Sequence, residues 1–135
     1  MILAVDACTI IYLVEGGSPI ASAAVERFRE HLGDLGARAV CSRLARLECR
    51  VGPLRAGDSV LLGRYDAFFR RRRVDVLEVS AAVIEQATEL RARYRLKTPD
   101  AIHLATAIEA KADVFLTGDA DLKRCGELTI DVLRP

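Results

Sequence analysis

The sequence predicts an α/β domain with a mostly parallel central sheet, and three observations predict it. Short apolar runs alternate with longer stretches of helical periodicity, the order that lays helices on the faces of a parallel sheet. The first run, Ile2 to Val5, is apolar at every position, as a strand buried on both faces requires. Acidic residues, Asp6 and Asp119 foremost, stand just where such runs end.

Taken in order, Met1 to Val5 is the first strand, expected at the centre of the sheet. Residues 9 to 14 read as a helical turn that breaks at Gly16 and Gly17. Ser18 then caps a helix with Pro19 at its first position, running to about His31. A serine there accepts from a first-turn amide, and proline gives up an N–H that has no partner in any case. Ala39 to Cys41 is a brief strand. Ser42 can cap the next helix, whose Leu44, Ala45 and Leu47 leave Glu48 on a neighbouring face, with Gly52 and Pro53 as its expected end. Residues 58 to 72 carry Val60, Leu61, Leu62, Tyr65, Phe68 and Phe69 at helical spacing, and Val74, Val76, Leu77 and Val79 follow as a strand. Ser80 opens a helix to about Arg95. In the next helix start, Thr98 is the expected cap, Pro99 comes first and Asp100 lies in the positive first turn. Ala101, Leu104, Ala105 and Ile108 share its buried stripe. Asp113 to Thr117 is a strand ending at Gly118-Asp119, and Leu128 to Leu133 is the last strand.

A length of 135 residues fits one domain spanning 1–135, with roughly 68% of the unfolded surface available for burial. No apolar run spans a bilayer, and the amino terminus has neither a basic leader nor a cleavage site, so a soluble, cytoplasmic protein without membrane contact is expected. Cys8, Cys41, Cys49 and Cys125 lack close paired spacing, which argues against zinc and favours small buried thiols. The net charge of +1 hides an asymmetry: residues 43 to 73 hold nine arginines against Glu48, Asp58 and Asp66, a local +6 that leaves −5 elsewhere. Such a basic stretch beside acids suits a polyanion steered by arginines, here Arg43, Arg46, Arg50, Arg70, Arg71, Arg72 and Arg73. Arg70 to Arg73 equally suit a solvated helix end. Only 5% of residues are aromatic, and Tyr12 and Tyr94 read as core, so backbone contacts by arginine are favoured over stacked bases.

Ligands of open α/β sheets sit beyond the carboxyl ends of the strands, so Asp6, Glu48, Asp100 and Asp119 are expected to converge in one pocket. Four acids together need a cation. Magnesium or manganese is a hard ion that takes oxygen ligands and binds through one or two carboxylates plus phosphate. Asp6 and Asp100 are the best direct ligands; Glu48 and Asp119 would complete the shell, hold waters or bind a second ion. One metal and two metals both remain open. Asp6 is the hardest of the four to read as merely structural, because a charge ending a buried strand is costly unless paired or solvated. His103, three residues after Asp100, reads as packing or hydrogen bonding, since a carboxylate site does not need imidazole. A site of this kind supports phosphodiester hydrolysis, with one carboxylate orienting or deprotonating the attacking water and no covalent enzyme intermediate.

The segments VDACTIIYL (5 to 13), RLARLECRVG (43 to 52) and TPDAIHLATAIEAKADVFLTGDADL (98 to 122) resemble the acidic motifs of PIN-domain ribonucleases, and closely those of VapC-type toxins of bacterial toxin–antitoxin pairs. The resemblance covers nearly the whole chain, and its PDAIHLATA and TGD parts are the most specific. It implies a PIN-like three-layer α/β/α fold and a magnesium- or manganese-dependent endoribonuclease whose acidic quartet is Asp6, Glu48, Asp100 and Asp119. It makes Thr117 the family's small hydroxyl residue two positions before the last acid, with Asp121 near enough to share that acid's role. Cys8 departs from the Ser or Asn more usual two residues after the first acid. Implied partners are RNA (transfer, ribosomal or messenger), a cognate antitoxin whose arginine can plug the acidic pocket, and a second copy of the chain through apolar helical faces within residues 18 to 69.

Three other classes compete. A phosphoaspartate phosphatase wants an Asp where Cys8 stands. A receiver-type signalling domain needs a Lys after a late strand, whereas Lys97 precedes a helix. A non-catalytic RNA- or partner-binding domain of the same fold would use its acids only to bind, and the intact quartet argues against it.

Overall fold

The computed structural model describes residues 1–135. Five strands form one sheet: β1 (Ile2–Val5), β2 (Arg38–Ser42), β3 (Val74–Leu77), β4 (Val114–Thr117) and β5 (Ile130–Val132). Their order is β3-β2-β1-β4-β5, and every neighbouring pair is parallel. The all-apolar β1 therefore takes the central place expected of it. Two helices connect each pair of successive strands as far as β4: α1 (Ala7–Glu15) and α2 (Pro19–His31), α3 (Arg43–Ala56) and α4 (Ser59–Phe69), α5 (Ala81–Tyr94) and α6 (Thr98–Glu109). A short 3-10 helix, Ala120–Arg124, leads from β4 towards β5.

Alternation along the strands sorts the core into two layers. Leu3, Val5, Ala39, Cys41 and Leu116 face α1 to α4, packing with Ile10, Phe28, Tyr65 and Phe68. Ala4, Val40 and Phe115 point the other way, against Leu90, Leu104 and Leu122. The sheet is thus sandwiched between helices, a three-layer α/β fold. No single helix is long and apolar enough to cross a membrane.

Several elements differ from the sequence-based expectation. α1 begins at Ala7, directly after Asp6, because the Asp6 carboxylate itself caps it by accepting from the Thr9 amide at 2.9 Å. α3 continues through Gly52 and Pro53 to Ala56. A proline clashes with the Cβ of the residue before it when that residue is helical, and Gly52 has none; the helix ends instead where Gly57 turns left-handed at φ 66°. α4 stops at Phe69, so Arg70 to Arg73 form the connection to β3 rather than a last helical turn. α6 starts one residue early, with Lys97 at the cap position and no side-chain hydrogen bond to it; Pro99 is tolerated because first-turn amides have no intrahelical acceptor. β3 ends before Val79, and β5 is shorter than 128–133.

Candidate functional site

In a parallel sheet, whatever follows a strand lies at its carboxyl end, and the helices return antiparallel. Asp6 follows β1, Asp119 follows β4 by two residues, Glu48 sits in the second turn of α3 after β2, and Asp100 lies in the first turn of α6, whose far end leads into β4. All four acids therefore belong to the same end of the sheet. The strand order reverses direction between β1 and β4, and Asp6 and Asp119 flank that switch point, where the connections diverge to opposite faces and leave a crevice.

The acids are held unequally. Asp6 is buried, at 5% exposure, and both its oxygens are engaged: Oδ1 accepts from the Thr9 amide, and Oδ2 accepts from the Thr117 hydroxyl at 2.6 Å. Thr117 is fully buried and its Oγ1 also accepts from the Asp119 amide at 3.1 Å. One hydroxyl thus links the first and last acids. Gly118 between them lies beneath the Tyr12 ring, which a Cβ at that position would meet at 3.1 Å. Asp119 is exposed and its Oδ1 accepts from the Asp121 amide at 2.9 Å; Asp121 itself is exposed.

Electrostatics show the crowding. Burial, then the charge of Asp119, then that of Asp6 push the Asp100 carboxyl above its ordinary range, with His103 and Lys97 opposing. At Cys8, burial and the charges of Asp6, Asp119 and Asp100 raise the thiol. The Cys8 thiol and burial in turn push the Tyr12 hydroxyl up to about 12. Cys8 is exposed at the crevice, whereas Cys41, Cys49 and Cys125 are buried as expected. No lysine or arginine forms a salt bridge with Asp6, Asp100 or Asp119.

A group whose folded pKa is raised contributes stability only below its unfolded pKa and loses it as pH climbs through the folded value. The charged Asp100 should therefore oppose folding of the metal-free protein at neutral pH. Asp100→Asn is expected to raise the stability of the metal-free protein there by up to about 1 kcal/mol, the group being only half-buried. That gain should vanish as pH falls below the ordinary aspartate value near 3.8; thermal melts at both pH values check it.

Glu48 departs from the other three. Its Oε1 pairs with the Nε2 of His103 at 2.6 Å, joining α3 to α6. Sequence reasoning assigned His103 to packing or hydrogen bonding and did not see this partner; the available signal was its place one turn beyond Asp100. No group of three or more His, Cys, Asp or Glu side chains lies within a single coordination shell. Asp6, Asp100 and Asp119 offer only oxygen donors, which would suit a hard cation such as magnesium or manganese, able to bind through one or two carboxylates and keep its waters.

Arg43, Arg46 and Arg50 lie on α3, where Arg43 pairs with Glu78 and Arg46 and Arg50 with Asp66. Arg70 to Arg73 precede β3, and Arg70 lines one surface pocket together with Arg43 and Arg46, the last of which lies over the Phe69 ring. Arg73 is spent on the carbonyls of Leu32, Asp34 and Ala37, and Arg71 lies over the Phe68 ring.

An open parallel sheet whose central strands β1 and β4 are followed by Asp6 and Asp119 at their switch point defines a class of α/β protein. The family model for the PIN domain matches residues 3–128, and this chain belongs to that family. Its fold is similar to that of VapBC2 from Rickettsia felis bound to a promoter DNA fragment (TM-score 0.78, 16% identity, 99% of this chain and 100% of that one). It is also similar to Mycobacterium tuberculosis VapC20, a sarcin-ricin-loop-cleaving toxin (0.74, 19%, 98% and 99%), and to VapBC-1 from nontypeable Haemophilus influenzae (0.74, 20%, 98% and 98%). At these identities the likeness is one of fold. No curated protein matches the sequence.

Proposed function

We propose that this protein is a magnesium- or manganese-dependent endoribonuclease that hydrolyses RNA phosphodiester bonds, and that it acts as the toxin of a toxin–antitoxin pair. The observation that carries the reading is the half-buried Asp100, which feels the charges of Asp119 and Asp6 while no lysine or arginine is salt-bridged to any of the three, His103 and Lys97 acting against that charge without an ion pair. A bound cation would offset that repulsion, since a nearby opposite charge favours the ionised carboxylate. Membership of the PIN family and the fold shared with a toxin that cleaves the sarcin-ricin loop support RNA as substrate.

Asp6 and Asp100 would hold the ion, with Glu48 and Asp119 completing the shell, holding its waters or binding a second ion. Bound there, a divalent cation lowers the pKa of coordinated water and offsets charge on the phosphate in the transition state. The chain's own part is positioning. Thr117 and the Thr9 amide lock Asp6 so that its carboxylate needs no reorganisation. An acid not engaged with the ion orients the attacking water and takes its proton, with Asp121 beside Asp119 as reserve. Arg43, Arg46 and Arg50 on α3 would contact RNA backbone, and Arg70, which shares a surface pocket with Arg43 and Arg46, would extend that basic surface towards Arg71 and Arg72.

The solved relatives include toxin–antitoxin complexes, which supports a cognate antitoxin here. A guanidinium from that partner would pair with the acids and so compete with metal. A homodimer is supported by α3, which leaves Leu47, Val51 and Leu54 exposed along one face.

The test is incubation of labelled single-stranded and structured RNAs with the purified protein in magnesium, manganese or EDTA, beside Asp100→Asn. Cutting that needs metal and disappears in the variant is expected. Folded wild type that cuts no RNA in either metal would move the assignment to a non-catalytic binding domain.

A further inference from the structure

We propose that His103 is a positioning residue for Glu48, holding that carboxylate towards the ion through a single Nε2–H hydrogen bond; the inference rests on the reading of the acids as a metal site. Glu48 stands apart among the four acids. Asp6 is fixed by two donors and Asp119 by the Asp121 amide, but the Glu48 side chain is longer, one-third exposed, and has His103 as its one hydrogen-bond partner. A glutamate with three free torsions loses much rotamer freedom on being ordered, and a buried donor that orders it beforehand removes that cost from metal binding.

The imidazole is built for this. His103 is 4% exposed and packed within α6, where Ala101, Leu104, Ala105 and Ala107 are also buried, so the ring has little room to turn. Its Nδ1 is buried and has no hydrogen-bond partner. An orphaned buried N–H is rarer and costlier than a bare acceptor, so the proton belongs on Nε2, where it donates to Glu48 at 2.6 Å. The ring therefore serves as a one-sided donor. It also comes from the helix that carries Asp100 one turn earlier, so α6 supplies one acid directly and places a second, carried by α3.

The test compares His103→Leu, which fills the space without a donor, with His103→Gln, whose amide nitrogen can take the place of Nε2. Mn2+ affinity is read from the free-ion electron paramagnetic resonance signal, without RNA. His103→Leu is expected to weaken Mn2+ binding by about 10–100-fold, the usual cost of losing an outer partner of a metal ligand, and His103→Gln by less than about 3-fold. Adding His103→Leu to Glu48→Ala should cost nothing further, since Glu48→Ala already removes the acceptor that His103 holds. Nitrogen-15 spectra of the metal-free protein should show His103 protonated on Nε2 and bare on Nδ1. If His103→Leu binds Mn2+ like wild type, or if Leu and Gln lose affinity equally alongside a fall in melting temperature, His103 is a packing residue and the proposal is overturned. If the wild type itself binds no Mn2+, the reading of the acids as a metal site fails, and the proposal fails with it.

Discussion

Asp6→Asn is expected to lower metal-dependent RNA cleavage by more than about 100-fold, since removing even an outer partner of a metal ligand costs 10–100-fold, while the protein stays folded. The asparagine oxygen can still accept from the Thr9 amide and so keep α1 capped. Its NH2 group meets the Thr117 hydroxyl, whose oxygen has lone pairs for both it and the Asp119 amide. The charge is lost, and the Thr117 hydroxyl turns from donor to acceptor towards position 6. Asp6→Ala is a different experiment, because it removes the cap and leaves a buried hydroxyl without its acceptor. Those losses are worth about 0.5–2 kcal/mol and about 1–3 kcal/mol, so its melting temperature should fall clearly below that of Asp6→Asn. Cleavage assays beside thermal melts separate the two roles. An Asp6→Asn protein that cuts RNA at the wild-type rate would reduce Asp6 to a helix cap.

The second large effect is expected at Thr117, where replacement by Val keeps the shape and removes the hydroxyl. The Asp6 carboxylate then loses its buried donor and the Asp119 amide its acceptor. A stability loss of about 1–3 kcal/mol follows from leaving such groups unpaired. With Asp6 free to turn, cleavage should also drop by about 10–100-fold. Thr117→Ser restores the hydroxyl and should recover most of both. Denaturant titration and single-turnover cleavage of the three proteins decide the matter: a Val variant as active as wild type would show that the link between first and last acids is not needed for chemistry.

Much of this was legible in local signals. Ile2 to Val5 could only be a doubly buried strand, and the structure places it at the centre of the sheet. Ser18, Ser42 and Ser80 each cap the helix they announce, because capping needs only the residue and its next three neighbours. Gly52-Pro53 misled, since a proline signal reads as a stop unless the glycine before it is recognised as removing the clash. Thr98 misled in the same local way, displaced by one residue from the cap position.

By itself the sequence determined the α/β class, the alternation of elements and the placing of Asp6, Asp100 and Asp119 at element ends, all properties encoded within a few residues of each position. Only the tertiary structure decided what those residues meet. Glu48 turns to His103, 55 positions away. Thr117 reaches Asp6 across 111. The arginines of residues 43 to 73 are shared among distant partners, Arg43 on Glu78, Arg50 on Asp66 and Arg73 on the carbonyls of Leu32, Asp34 and Ala37. The physical reason is the crossover itself: each return through a helix pair carries the chain from one end of the sheet to the other, so neighbours in sequence part and distant residues meet.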